Sequence, residues 1–227
     1  MKVVLLIPCL LIYNPLFAQW TLQTSGTSNE LNSVHFESAS VGWSVGSSGK
    51  ILKTTDGGAT WTSQTSGTTE DLYTVWFVDS NTGWVAGSNG TIQKTTNGGT
   101  SWTAQTSGLF GYILSITFVD INTGYAVGSS GKIIKTTNGG TNWSAKTSGT
   151  TQSLESVYFI NSNTGFATGG TGTIIKTTNG GTNWSSLTSG TSTGLFSVFF
   201  VDANIGYVVG YSGEMRKTTN GGTSWSS

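Results

Sequence analysis

Two adjacent carboxylates, Glu70 and Asp71, are the residues of this sequence with the most readily defined chemistry. A pair of acids can hydrolyse a glycosidic bond when one protonates the leaving group and the other attacks or activates water. These two, however, stand in a polar loop, where adjacent acids are usually solvated. We therefore predict that they contribute to ligand binding, and we predict no catalytic residue.

Two other candidate sites have structural interpretations. His35 is the only histidine, and aromatic residues take its place in other copies of the repeat described below, which indicates packing rather than metal binding. Residues 79–83 (DSNTG) are similar to the start of a calcium loop but lack the Gly and the closing Glu that such a loop needs. A plain turn is therefore predicted, and neither a metal nor a cofactor is expected.

A strict repeat positions these residues. Successive tryptophans are separated by 41 residues without insertion, at Trp20, Trp61, Trp102, Trp143, Trp184 and Trp225. Each copy carries four strand-like runs, which in the second copy lie near residues 74–78, 83–87, 91–95 and 101–105. Bulky residues occupy both faces of the first run, so both faces must be covered. Stacked four-stranded blades cover them, and a period of about 40–45 residues is typical of β-propellers.

We therefore predict an all-β fold, a propeller of five four-stranded blades, within a domain at 19–227. The repeats are placed at 20–60, 61–101, 102–142, 143–183 and 184–224. A β-solenoid is an alternative with similar regularity. Residues 20–23 match a fourth strand with no blade before it, and they could close the ring on the last blade. An open or truncated ring is the other possibility.

The composition agrees with this architecture. Only 9 % of residues are charged and 33 are Gly, which would suit a disordered chain, but nine Trp, ten Phe and seven Tyr can build a core. Gly83 and Gly87 are expected to admit a backbone or an aromatic ring of the next blade. Asn97-Gly98 is a hairpin signal between two strands.

Residues 1–18 are predicted to be a secretory signal peptide. Lys2 precedes an apolar core too short for a permanent transmembrane helix, and Ala18 precedes the cleavage point. Cys9 lies within this segment, where lipid attachment is the alternative. The predicted location is secreted or at the cell surface. After cleavage nine basic and ten acidic residues remain, with no basic stripe that could bind nucleic acid.

Residues 54–61 (TTDGGATW) resemble the Asp-box hairpin of bacterial neuraminidase (BNR) repeats. Together with residues 42–46 (GWSVG) and 49–53 (GKILK), they resemble propellers of the photosystem II assembly factor type, and the resemblance covers residues 20–225. It implies a structural role for the box residues and more blades than five, about seven. Later copies replace the acid of the box by Asn. The box positions are Asp56, Asn97, Asn138, Asn179 and Asn220. Five residues after each stands the repeated tryptophan, at Trp61, Trp102, Trp143, Trp184 and Trp225.

The same resemblance implies two enzyme hypotheses. A sialidase of this type holds a carboxylate with three arginines, and this chain has one, Arg216, which disfavours that activity. Xyloglucanase-type glycosidases need two carboxylates across the bond. Asp79, Asp120 and Asp202 share one repeated position and are interpreted as turn residues, which leaves Glu70 and Asp71 as the only unusual pair.

Loops between the blades differ most between copies. A constant framework with variable loops on one face is typical of recognition scaffolds. Phe110 and Tyr112 stand out in the third loop before a first strand, and Tyr211 adds an aromatic ring from a turn between second and third strands. We predict a secreted, non-catalytic module that binds protein or carbohydrate through this face. A fragment of a larger secreted glycoside hydrolase is the alternative.

Overall fold

The computed structural model describes residues 21–109 and 111–227 as five antiparallel sheets of three or four strands. Each sheet comes from one consecutive stretch of chain, and neighbouring sheets pack through their first strands. The all-β propeller fold is confirmed. The predicted signal peptide, Cys9, Trp20 and Phe110 lie outside the described residues.

Each sheet, called a blade below, is a meander in which consecutive strands pair. Blade 1 contains β1 (Leu31–Phe36), β2 (Gly42–Gly46), β3 (Ile51–Thr54) and β4 (Thr62–Gln64). Blade 2 contains β5 (Leu72–Phe77), β6 (Gly83–Gly87), β7 (Ile92–Thr95) and β8 (Thr103–Gln105). Blade 3 contains β9 (Ile113–Phe118), β10 (Gly124–Gly128), β11 (Ile133–Thr136) and β12 (Ser144–Lys146). Blade 4 contains β13 (Leu154–Phe159), β14 (Gly165–Gly169), β15 (Thr173–Thr177) and β16 (Ser185–Leu187), and blade 5 contains β17 (Leu195–Phe200), β18 (Gly206–Gly210) and β19 (Met215–Thr218).

The blades form an open arc rather than a closed ring. First strands pack on one another from β1 to β5, β9, β13 and β17 in turn, and no packing of comparable extent joins β1 to β17 among the described residues. Residues 21–23, the described part of the segment predicted to close the ring, form no strand. The outer edge of blade 5 is instead paired by Ser226, whose N–H donates to the carbonyl of Lys217 at 2.9 Å.

Two repeated glycines allow close contacts within a blade. A Cβ at Gly83 would lie 2.5 Å from the ring of Phe77, and a Cβ at Gly87 would collide with the carbonyl oxygen of Asp71. Both partners belong to blade 2, so the expectation that the next blade supplies them is wrong. The ring lies over the glycine of its own sheet because Phe77 and Gly83 are directly paired residues of β5 and β6.

The hairpin between third and fourth strands is held by side-chain hydrogen bonds. In blade 1 the N–H and the hydroxyl of Thr60 donate to the two carboxylate oxygens of Asp56, at 2.9 and 2.6 Å. In blade 2 the Asn97 amide oxygen accepts the N–H of Ser101 at 2.9 Å, and its NH₂ group donates to the Ser101 hydroxyl at 2.9 Å. Asn therefore preserves the turn without the charge.

Asp56 is expected to make this hairpin sensitive to acid. Hydrogen bonds from Thr60 and Thr54 lower the pKa of Asp56 from 3.8 to about 2. Because the folded-state pKa lies below the unfolded value, the stabilisation is present above about pH 4 and is lost as the pH falls towards 2. We expect the melting temperature of Asp56→Asn to equal that of the parent near neutral pH. As the pH falls, the melting temperature of the parent should drop below that of the variant. If the melting temperatures of the two proteins fell in parallel with pH, the Asp56 carboxylate would not be the source of the acid sensitivity.

Packing between blades repeats one six-residue pattern. At the first junction an outgoing face (Trp43, Val45 and Ile51) meets an incoming face (Leu72, Val75 and Phe77) in one buried cluster. The rings of Trp43 and Phe77 stack at 3.5 Å with 9° between their planes. Equivalent stacks are Trp84 on Phe118, Tyr125 on Phe159, and Phe166 on Phe200.

A polar contact accompanies each stack. Lys53 Nζ donates to the carbonyl of Gly98 in the next blade at 2.8 Å, and Trp43 Nε1 donates to the same oxygen at 3.2 Å. The equivalent lysines are Lys94, Lys135 and Lys176, which donate to Gly139, Gly180 and Gly221. Each junction therefore combines apolar burial with a fixed hydrogen-bond register.

Candidate functional site

The loops before first strands and the turns between second and third strands lie at one end of the blades, which we call the loop face. Asp71, before β5, accepts the N–H of Ser48 in the turn of blade 1 at 2.8 Å. Glu70 accepts a hydrogen bond from the side-chain amide of Asn89, in the turn of its own blade, at 2.9 Å. The variable loops predicted from the sequence therefore surround one surface.

Glu70 and Asp71 form hydrogen bonds to different turns of the loop face. Asp71 bridges blade 1 and blade 2, whereas Glu70 bonds within blade 2. A glycosidase needs its two carboxyl groups on opposite sides of a scissile bond. The hydrogen bonds instead use both carboxylates to hold turns of the loop face.

A bulge in the first strand of every blade adds residues that the sequence analysis missed. The pairing register breaks at the second residue of β1, β5, β9, β13 and β17. A bulge re-aims the side chain of its extra residue. We call these residues the bulge row: Asn32, Tyr73, Leu114, Glu155 and Phe196. The available signal was variation of side-chain type directly after a repeated Leu or Ile.

The predicted loop aromatics pair with members of the bulge row. Tyr112 is exposed, and its ring packs edge to face on the ring of Tyr73 across the junction of blades 2 and 3. The ring centroids are 6.0 Å apart. Tyr211, also exposed, meets Phe196 at 4.0 Å within blade 5. The five predicted site residues therefore do not form one cluster: Glu70, Asp71 and Tyr112 lie near blade 2, Tyr211 lies on blade 5, and Phe110 is outside the described residues.

Glu155 is the titratable member of the bulge row. It lies in blade 4, between the blades that carry Leu114 and Phe196. Partial burial raises the pKa of the Glu155 carboxyl. As a carboxylate it can accept hydrogen bonds from amide or hydroxyl donors of a ligand.

Other candidate residues have local structural partners. Arg216 Nε donates to Glu214 at 2.7 Å. His35 packs against Trp76 at 5.0 Å, and burial lowers its pKa. Asp79 accepts the N–H groups of Asn81 and Thr82, as a turn residue does.

Neither a metal centre nor a membrane-spanning helix is found in the part of the chain that the structure describes. No group of three or more His, Cys, Asp or Glu side chains is arranged there to hold a metal ion. None of the described helices is long and apolar enough to cross a bilayer.

Sequence comparison identifies one matching family model. The model described as photosynthesis system II assembly factor YCF48 matches residues 13–107 and 106–193, which is more than half of the chain. No curated protein matches the sequence.

Solved structures share the fold at low sequence identity. A YCF48 bound to D1 peptide gives a TM-score of 0.71 at 22 % identity, over 88 % of this chain and 69 % of that one. A GH74 enzyme from Niastella koreensis gives 0.72 at 18 % identity, over 86 % of this chain and 38 % of the enzyme. The WD40 β-propeller domain of Doa1 gives 0.68 at 14 % identity, over 84 % of this chain and 64 % of that one. This chain spans little more than a third of the GH74 enzyme.

Proposed function

We propose that this chain is a non-catalytic propeller whose loop face binds a segment of another protein. The premise is that the chain belongs to the photosynthesis system II assembly factor YCF48 family. The observation that carries the proposal is the pairing of exposed loop aromatics with the bulge row. Tyr112 joins Tyr73 near blade 2, and Tyr211 joins Phe196 on blade 5.

The arrangement suits an elongated ligand. Two aromatic anchors lie at separate places along the arc: Leu114 follows the first anchor on blade 3, and Glu155 lies on blade 4, between the two anchors. Aromatic side chains dominate binding energy at protein interfaces because they bury large apolar areas with few rotatable bonds. The Glu155 carboxylate can accept a hydrogen bond from an N–H group of the ligand. The structural likeness to a YCF48 bound to D1 peptide supports a protein segment as the ligand class.

A carbohydrate is the second candidate ligand. The exposed rings of Tyr112 and Tyr211 offer apolar faces on which sugar rings can stack, with a polar edge for their hydroxyl groups. A glycan would contact one aromatic pair at a time, whereas a protein segment would contact both.

The proposal that the chain is not an enzyme rests on the placement of its charged groups. Arg216 is paired with Glu214, and the carboxylates of Glu70 and Asp71 bond to turns. The alternative is a fragment of a larger secreted glycoside hydrolase, and its support is the fold likeness to a GH74 enzyme. The location we propose, outside the cytoplasm, rests on the signal-like residues 1–18.

A binding screen with matched variants tests this function. The chain is screened against peptide and glycan arrays, and each positive is then titrated by calorimetry. We expect Tyr112→Ala and Phe196→Ala each to weaken peptide binding by about tenfold, because truncating an interface aromatic commonly costs more than 1 kcal/mol. Ile121→Ala, on an exposed loop at the other end of blade 3, serves as the control and is expected to leave affinity unchanged.

The same samples distinguish the alternatives. Glycan binding that depends on only one aromatic pair would favour the carbohydrate hypothesis. Hydrolysis of a β-glucan abolished by Glu70→Gln or Asp71→Asn would show a glycosidase. Peptide binding that survives both Tyr112→Ala and Phe196→Ala would contradict the choice of surface.

A further inference from the structure

The two ends of the arc expose the two halves of the internal blade junction. On blade 1 the incoming face consists of Leu31, Val34 and Phe36, and Val34 is 59 % exposed, whereas the equivalent Val75 is 4 % exposed. Phe36 is 42 % exposed, whereas the equivalent Phe77 is 3 % exposed. The equivalent side chains of the later blades pack against the preceding blade, where all are buried except Phe159, which is partly buried.

Blade 5 exposes the complementary half. Its outgoing face consists of Tyr207, Val209 and Met215, and Met215 is 59 % exposed where Ile51 is fully buried. Tyr207 is the repeat equivalent of Tyr125. Its flat ring can stack on an aromatic partner, and its hydroxyl can donate a hydrogen bond. Lys217 Nζ lies 5.6 Å from the Tyr207 ring, much as Lys53 lies 5.3 Å from the ring of Trp43.

We propose that blade 5 of one copy docks on blade 1 of a second copy and reproduces the junction found within the chain. The Tyr207 ring then stacks on the partner's Phe36, and Val209 and Met215 bury the partner's Leu31 and Val34. Lys217 Nζ and the Tyr207 hydroxyl donate to the carbonyl of the partner's Gly57, which is the repeat equivalent of Gly98 and Gly180.

The second copy is the occupant that the internal junctions indicate. Four such junctions already form in the chain from the same positions, with stacked rings and a lysine–carbonyl bond at each. The two exposed faces differ from each other, so the contact is head-to-tail. Such contacts give a closed ring when the rotation closes and a filament when it does not. This inference does not depend on the proposed ligand.

Matched one-sided variants test the inference by sedimentation velocity on the full chain. Val34→Asp places a charge on the incoming face, and Met215→Asp places one on the outgoing face. Both side chains are exposed at the ends of the arc, so the substitutions should not disturb folding, which circular dichroism verifies. Ile121→Asp adds the same charge at an exposed apolar residue outside both faces.

We expect the parent and Ile121→Asp to associate with rising concentration. Either Val34→Asp or Met215→Asp should weaken association by at least about a hundredfold, because an unpaired carboxylate would be buried at the junction. A mixture of Val34→Asp and Met215→Asp should form a 1:1 pair that grows no further, because the first variant keeps its outgoing face and the second keeps its incoming face.

Other outcomes overturn the inference. A parent that stays monomeric would show that the ends close on each other or stay open. Association that persists in either variant would place the contact elsewhere. A mixture that stays monomeric would exclude a head-to-tail junction.

Discussion

Replacing Trp84 by alanine is expected to lower the free energy of unfolding by about 4 kcal/mol, the range for a large buried aromatic side chain. The Trp84 ring is fully buried and stacks on Phe118 at 3.5 Å. Its Nε1 donates to the carbonyl of Gly139 in the next blade at 3.2 Å. Alanine would leave a cavity at the junction of blades 2 and 3 and remove this donor. Urea unfolding followed by tryptophan fluorescence and circular dichroism measures the loss.

Tyr207→Ala is the matched control, because Tyr207 occupies the same repeat position on blade 5, where no further blade of the described residues packs against it. At concentrations where the chain is monomeric we expect this variant to cost about 1 kcal/mol or less, as partly exposed side chains usually do. In a repeat fold each unit is stabilised by its neighbours, so Trp84→Ala should also broaden the transition by uncoupling the two halves of the arc. If both variants lost the same free energy of unfolding, packing at the blade junction would not be what makes Trp84 important.

Gly87→Ala is expected to destabilise the chain by about 3 kcal/mol through overpacking. The backbone of Gly87 is extended, at φ −173°, and accepts any residue, so the cost is one of space. An added methyl group would collide with the carbonyl oxygen of Asp71, which is held by the N–H of Ser88 at 2.8 Å. Relief would require moving the segment that carries Asp71 and Tyr73, so peptide binding should weaken as well.

Gly67→Ala separates this collision from the ordinary cost of replacing a glycine. Gly67 has φ +76° with open space around the position of a Cβ, so only backbone strain of about 1 kcal/mol is expected. Chemical denaturation of both variants tests the difference. A Gly67→Ala loss equal to that of Gly87→Ala would remove the argument from the Asp71 carbonyl.

The loop face illustrates how far the sequence could be interpreted. Loop divergence identified Tyr112 and Tyr211 as exposed aromatics, because residues that break a strict repeat are visible in one dimension. Their partners, Tyr73 and Phe196, follow a repeated apolar residue in a strand and would ordinarily alternate with it. Variation of residue type after the repeated Leu or Ile marks these positions in the sequence, but only the bulge in the first strand gives their side chains a direction.

The amino-acid sequence by itself determined the all-β blades and their number. It could do so because strand alternation and turn chemistry are local, and a 41-residue repeat reports them five times. Tertiary structure alone decided that Asp71 joins two blades, that Phe77 covers the glycine of its own sheet, and that the arc stays open. These outcomes depend on the angle between stacked sheets and on contacts between distant residues. The same repeat positions are therefore buried inside the arc and exposed at its two ends.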